Sequence, residues 1–232
     1  MIRVDYFSDL LCVWAYGGQI RLDELIHRHG DQIELQYRFI SIFAAAHSQI
    51  EKNWQHQDGY LGFNRHLQEV ASQWSHVNCH DKLWLDCQPS TSTSAHLVLK
   101  AVDILQQRQQ ISSQRQVELG NRSLFEHLMW SVREAFFAHG VDISRLSALR
   151  EIVIQAGLDW QAVFDLIDNG EAFAGLYQDD QQKQQFCLQG SPSYVLNEGR
   201  QILYGNVGYK IIESNIEELL HRQQAQADAS WC

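Results

Sequence analysis

The chain has 232 residues, 45% hydrophobic and 20% charged, which is ordinary for a soluble globular protein and enough to bury one sizeable core. Its net charge of −10 argues against nucleic acid or an anionic membrane as the main partner, and no apolar run approaches a membrane span. Two prolines point to long helices, and five irregularly spaced cysteines (Cys12, Cys79, Cys87, Cys187, Cys232) do not suggest a disulfide framework.

The N-terminus runs straight into a predicted core strand. It lacks the basic segment, apolar stretch and small-residue site of a secretion signal, so a cytoplasmic location is expected. Ile2, Val4, Tyr6 and Leu10 favour an extended segment, with Ser8-Asp9 as a turn. Leu22, Leu25, Ile26 and His29 recur at helical spacing, with Gly30 as the cap. Ile33, Leu35, Tyr37 and Phe39 alternate with polar residues as a half-buried strand, so strand, helix and strand form a right-handed crossover. The polar segment His47 to Tyr60 reads as a long loop.

From Leu61 to Leu188 the pattern is helical. Apolar faces begin at Phe63, Leu97 and Leu124, with Asp142 or Ser144 capping a helix that reaches Gly157 and Asp159 capping the next. A further helix spans Glu171 to Phe186, and the glutamine clusters Gln106 to Gln110 and Gln181 to Gln185 read as solvated faces. After Gly190-Ser191-Pro192, Ser193 to Leu196 is a strand, Asn197-Glu198-Gly199 a hairpin turn and Gln201 to Tyr204 the returning strand. Ile211, Ile212, Ile216, Leu219 and Leu220 mark a final helix, and residues after Arg222 read as a frayed tail.

Cys12 falls at or just before a helix N-terminus. Unpaired backbone N–H groups there favour a thiolate, the nucleophile of thiol–disulfide chemistry. The alternative is an inert core cysteine, a common fate of free cysteine. Cys187, shortly before Pro192, reads better as an end-of-helix core residue than as a resolving thiol. His76, Cys79, His80 and Cys87 have metal-ligand side chains, but not the paired spacing of structural zinc sites, and no metal is expected. No phosphate-binding glycine loop or serine-hydrolase elbow is present.

The stretch Val4 to Gly18 resembles the active-site region of the DsbA-like branch of the thioredoxin superfamily, where a strand carrying Asp and a Cys-x-x-Cys pair runs into a helix. Cys12 matches the first cysteine, with Trp14 and Tyr16 where the family often has aromatics, whereas Ala15 replaces the second cysteine. Gly190-Ser191-Pro192-Ser193-Tyr194-Val195-Leu196 resembles the family's cis-proline loop, and Gly205-Asn206-Val207-Gly208 its glycine turn. Ser94-Ala95-His96 and the stretch from Leu128 to Asp159 are similar to FrnE-type members. The resemblance implies an α/β thioredoxin fold, β-α-β … α-β-β-α, with a large all-helical insertion: residues 1–59 and 171–222 as the thioredoxin-like domain, 60–170 as the insertion and 223–232 as the tail.

It also implies catalytic Cys12, a substrate or glutathione site at Trp14, Ala15, Ser191 and Pro192, and no tightly bound cofactor, with glutathione as co-substrate. The backbone of Ser191 would pair with an extended thiol or disulfide substrate: glutathione, a small molecule or a peptide. The expected activity is a thiol–disulfide oxidoreductase working through one cysteine, its mixed disulfide resolved by an external thiol. The alternatives are a glutathione-dependent transferase or isomerase of the kappa or 2-hydroxychromene-2-carboxylate isomerase type, for which a homodimer is usual, and a non-catalytic binding module.

Overall fold

A computed structural model describes residues 1–225. β1 (Ile2–Ser8) leads into α1 (Val13–Gly17) and α2 (Gln19–His29), followed by β2 (Ile33–Phe39). Seven helices come next: α3 (Ala46–Trp54), α4 (Gly59–Ala71), α5 (Thr93–Gln107), α6 (Leu124–Phe137), α7 (Leu146–Gln155), α8 (Trp160–Asp168) and α9 (Glu171–Gln185). β3 (Ser193–Leu196), β4 (Gln201–Tyr204) and α10 (Tyr209–Ala225) complete the described residues. The sheet order is β2-β1-β3-β4. β1 pairs with β2 in parallel and with β3 antiparallel, and β4 returns antiparallel to β3. This mixed α/β architecture, with helices between β2 and β3, is the one that the thioredoxin-like resemblance implies.

The central strand explains the layers. Ile2, Val4 and Tyr6 of β1 enter the main core, while Phe7 packs on the opposite side with Ile40, Leu188 and Val195. A strand buried on both faces needs cover on both: helices cover the Val4 face, and the segments that follow β2 and α9 cover the Phe7 face. α5 is the axis of the helical block: it packs against α6, α7, α8 and α9, and its Leu97, Val98, Ala101, Val102 and Leu105 are buried. At the start of α6, the Ser123 hydroxyl accepts the Glu126 N–H, and the Glu126 carboxylate accepts the Ser123 N–H. This reciprocal cap satisfies two donors that a helix start leaves open.

Three local expectations are corrected. The segment from His47 to Tyr60 is not a long loop: most of it is α3, and α4 begins at Gly59. Ala46 and Ile50 face the core, and Trp54 packs on Phe63, so tertiary burial makes a helix of a stretch with little apolar periodicity. α7 is capped at Arg145 rather than at Asp142 or Ser144; Asp142 instead accepts the Ser144 N–H at 3.0 Å and closes the preceding turn. α10 continues past Arg222 to Ala225, into the stretch expected to fray, while the rest of that tail and Cys232 lie outside the described residues. No helix among the described residues is long and apolar enough to cross a membrane.

Candidate active site

The Cys12 loop connects β1 to α1. Asp9 anchors it from below. Its carboxylate accepts the Leu11 N–H at 2.8 Å, the Phe43 N–H at 2.9 Å and the Ser92 hydroxyl at 2.8 Å. One side chain therefore ties the loop to the segments after β2 and before α5. The adjoining Leu10 N–H donates to His96 Nε2 at 3.2 Å, and His96 Nδ1 lies 3.2 Å from the Ser41 hydroxyl. Burial drives the His96 pKa down to about 3, so the ring is neutral and can accept at Nε2. Burial also raises Asp9 to about 6, against the pull of the donors around it.

Cys12 is the extended residue ahead of α1, and its carbonyl accepts the N–H groups of Ala15 and Tyr16. Its side chain is buried, 8% exposed. The thiol donates to the Ser191 carbonyl at 3.3 Å, and the Asp9 N–H donates to the Ser191 hydroxyl at 2.9 Å. The Ser191-Pro192 peptide is cis, and the Gly205 N–H donates to the Pro192 carbonyl at 2.8 Å. The nucleophile loop, the proline loop and the Gly205-Asn206-Val207-Gly208 turn are thus stacked in sequence. Burial, joined by the Asp9 carboxylate, raises the Cys12 thiol above its ordinary value, and hydrogen bonds from Ser191 and the amides of Ala15 and Trp14 offset only part of that rise.

Of the residues expected at the site, Cys12 and Ser191 are in direct contact, and Pro192 follows in the same loop. Ala15 is fully buried one turn beyond Cys12 and brings no second thiol. Trp14 is half-buried at the rim, edge-on to Trp74 with ring centroids 5.7 Å apart. His76 Nε2 sits 2.9 Å from the Gly17 carbonyl, so the segment after α4 forms one wall of the site. Tyr16 points away, stacked on Phe137 at 4.6 Å.

Asp9, His96 and Trp74 are the residues to which sequence reading assigned no role at the site; His96 stood out only within the Ser94-Ala95-His96 run. Asp9 was legible only as a turn residue, and nothing in its spacing marks a buried anchor.

Cys187 is exposed just past α9, with φ 53, and is not the core residue expected there. Its segment packs through Phe186 and Leu188 on the Phe7 side of the sheet. The candidate metal-ligand residues are engaged separately: the Cys79 sulfur with the Gln68 amide at 3.4 Å, His80 Nδ1 with the Lys82 N–H at 3.2 Å, and His76 as above. Elsewhere, His29, Glu213 and Glu217 bring ligand atoms within 4.8 Å of one another, but Glu213 is already held by Lys210 at 2.6 Å and Tyr209 at 2.9 Å.

Solved structures share this fold. The probable DsbA oxidoreductase SCO1869 from Streptomyces coelicolor superposes with a TM-score of 0.70 at 17% identity, over 100% of this chain and 93% of that one. The cytosolic disulfide reductase DsbM from Pseudomonas aeruginosa gives 0.64 at 16% identity, over 97% and 99%. A 2-hydroxychromene-2-carboxylate isomerase also gives 0.64 at 16%, over 98% and 100%. No curated protein matches the chain in sequence. The DSBA-like thioredoxin domain model matches residues 3–217, nearly the whole sequence, and the chain belongs to that family.

Proposed function

We propose that the protein is a thiol–disulfide oxidoreductase that works through Cys12 alone. The observation that carries this reading is the 3.3 Å approach of the Cys12 sulfur to the Ser191 carbonyl, with alanine where a partner thiol would stand. The Cys12 thiolate attacks one sulfur of a substrate disulfide. A Cys12–substrate disulfide forms, the substrate S–S bond breaks and its other half leaves as a thiolate. An external thiolate, with glutathione as the candidate, then attacks the substrate sulfur of the mixed disulfide and regenerates Cys12. Ser191 and Pro192 border the substrate chain, and Trp14 forms the rim. DsbM, whose fold this chain shares, has been solved with GSH and is described as cytosolic, which supports glutathione as the thiol and the cytoplasm as the location.

The test is incubation with glutathione disulfide, followed by mass spectrometry of the Cys12 peptide. A glutathione adduct on Cys12, absent in Cys12→Ser and removed by reduced glutathione, is expected. In Ala15→Cys the new thiol resolves the adduct internally, so less adduct and an intramolecular disulfide are expected. A second reading, a glutathione-dependent isomerase or transferase, is favoured by one feature: the buried Cys12 thiol acts as a hydrogen-bond donor and could donate instead to a glutathione thiolate. Reversible protection of Cys12 from alkylation by reduced glutathione, with no adduct from glutathione disulfide, would replace the first reading by the second.

A further inference from the structure

β2 is an edge strand, paired with β1 on one side only. Its main chain alternates between two directions. The Ile2 N–H donates to the Gln32 carbonyl at 2.8 Å and the Ile40 N–H to the Ser8 carbonyl at 3.1 Å, so the even-numbered residues face β1. The odd-numbered residues face outward, and the Phe39 N–H leaves the sheet for the Asp179 carboxylate at 3.0 Å. Leu35 and Tyr37 precede Phe39 in the same series. Among the described residues, neither the N–H nor the carbonyl of Leu35 or Tyr37 has a hydrogen-bond partner. Open edges are usually blunted by charge, proline or a bulge, and Leu35-Gln36-Tyr37 carries neither charge nor proline.

A cavity of about 390 Å³ runs along this edge, a size that holds a ligand. Leu35 and Tyr37 point to one face of the sheet and Gln36 to the other, yet all three line the cavity, so it lies beside the strand rather than on a face. Its far wall is the end of α5 and the connection to α6, with Gln106, Gln109 and Ser113. Gln106 keeps a buried Oε1 that no donor meets. The Tyr37 hydroxyl donates to Glu126 at 2.9 Å, which holds the strand while its outer edge stays open. The open groups are main-chain donors and acceptors that repeat every two residues, about 6.7 Å apart, and an extended polypeptide repeats its own at the same interval. The far wall admits one added chain and leaves no room for the sheet edge of a second folded copy.

We propose that the β2 edge is a second binding site, which takes an extended segment of a polypeptide substrate as an added strand. The inference rests on Cys12 as the nucleophile and names the substrate class as a protein disulfide. β1 and β2 run in parallel, and beyond β2 the Phe43 N–H is held at 2.9 Å by Asp9 of the Cys12 loop. A chain laid along β2 therefore has one end on the side of the sheet where Cys12 stands. The neutral amides of the far wall select no charge, so recognition rests on the main chain and tolerates many sequences.

The test uses the full chain and a fluorescein-labelled Thr- and Val-rich peptide whose one cysteine is a mixed disulfide with glutathione, beside a counterpart with serine in place of that cysteine. Fluorescence anisotropy with the serine peptide reads binding without chemistry, and thiol release reads turnover. The wild-type chain is expected to bind the serine peptide, and binding is expected to slow hydrogen exchange at the Leu35 and Tyr37 amides. Leu35→Pro removes one outward N–H and keeps the bonds to β1, a change that an edge strand tolerates. It should weaken the serine peptide roughly fivefold, the loss of one hydrogen bond, and raise KM for the peptide disulfide relative to glutathione disulfide by a similar factor. Gln106→Leu covers the case in which Leu35→Pro does not fold. It removes the unpartnered acceptor, so the melting temperature should hold or rise while the peptide binds less tightly. Absence of binding in the wild-type chain overturns the proposal, as does unchanged binding in Leu35→Pro, or in Gln106→Leu where the former is unfolded. Dimers in sedimentation that Leu35→Pro abolishes, with no peptide binding, would assign the edge to a second copy instead. Failure of the Cys12 reading shows separately: the serine peptide binds and Leu35→Pro weakens it, while Cys12 forms no adduct with the peptide or with glutathione.

Discussion

Asp9 and His96 meet under the Cys12 loop, with the His96 Nε2 3.8 Å from the nearer Asp9 oxygen, and their titrations pull stability in opposite directions. Asp9 is raised from 3.8 to about 6, so its contribution is fully present below pH 3.8 and is lost as the pH rises through 6. His96 is lowered from 6.5 to about 3, so its contribution is fully present above 6.5 and is lost as the pH falls towards 3. Asp9→Asn removes the first of these titrations. Urea unfolding at a series of pH values should show the stability of wild type relative to Asp9→Asn falling by up to about 3 kcal/mol between acid and neutral conditions. A constant difference would mean that Asp9 ionises normally inside the fold. His96→Leu leaves the Leu10 N–H without its acceptor and should cost about 1–3 kcal/mol, read from the same unfolding curves.

At the scale of elements, α1 shows how a helix end can need glycine for a reason other than backbone freedom. A Cβ on Gly17 would lie 2.2 Å from the Trp74 ring, far inside van der Waals contact. Helix propensity alone would favour Gly17→Ala by up to about 1 kcal/mol. The collision with a ring wedged beside Trp14 should outweigh that and destabilise by about 1–3 kcal/mol. Thermal melting and tryptophan fluorescence check this, and Trp74→Ala in the same chain should restore the gain. The start of α6 behaves more predictably. Ser123→Ala loses half of the reciprocal cap and should cost about 1 kcal/mol.

The whole molecule is held across its layers by a buried charge network. Lys100 on α5 meets Asp179 on α9 at 2.7 Å, Asp179 accepts the Phe39 N–H of β2 at 3.0 Å, and Arg38 joins Asp179 at 3.4 Å to Asp5 of β1 at 3.0 Å. This network couples the central strands to the inserted helices. Burial pushes the Asp179 carboxyl up, with Lys100 as its main opponent, so Lys100→Met leaves the carboxylate only Arg38 at 3.4 Å and the Phe39 N–H. That change should cost about 3–5 kcal/mol in chemical denaturation. The double variant Lys100→Met with Asp179→Leu should recover much of the loss, because the price of a buried pair lies mainly in leaving one partner alone.

The sequence by itself determined the strand order along the chain, the helical block between β2 and β3, the hairpin before the last helix and the positions of Cys12 and Pro192. These are properties of short windows: alternation in Ile33 to Phe39, helical spacing in Leu97 to Leu105, and turn residues at Asn197-Glu198-Gly199. The cysteine and proline were legible because each sits in a recognisable run of neighbours. Only the tertiary structure decided that α3 is a helix, that Arg145 rather than Asp142 caps α7, and that Cys187 faces solvent. It alone placed Asp9, Trp74, His96 and Arg133 around the nucleophile loop. Their partners lie 83 residues on for the Asp9–Ser92 contact, 86 for Leu10–His96 and 125 for Ser8–Arg133. The reason is range: periodicity reports how a residue meets its neighbours in the chain, whereas a buried polar side chain is defined by the distant groups that satisfy it.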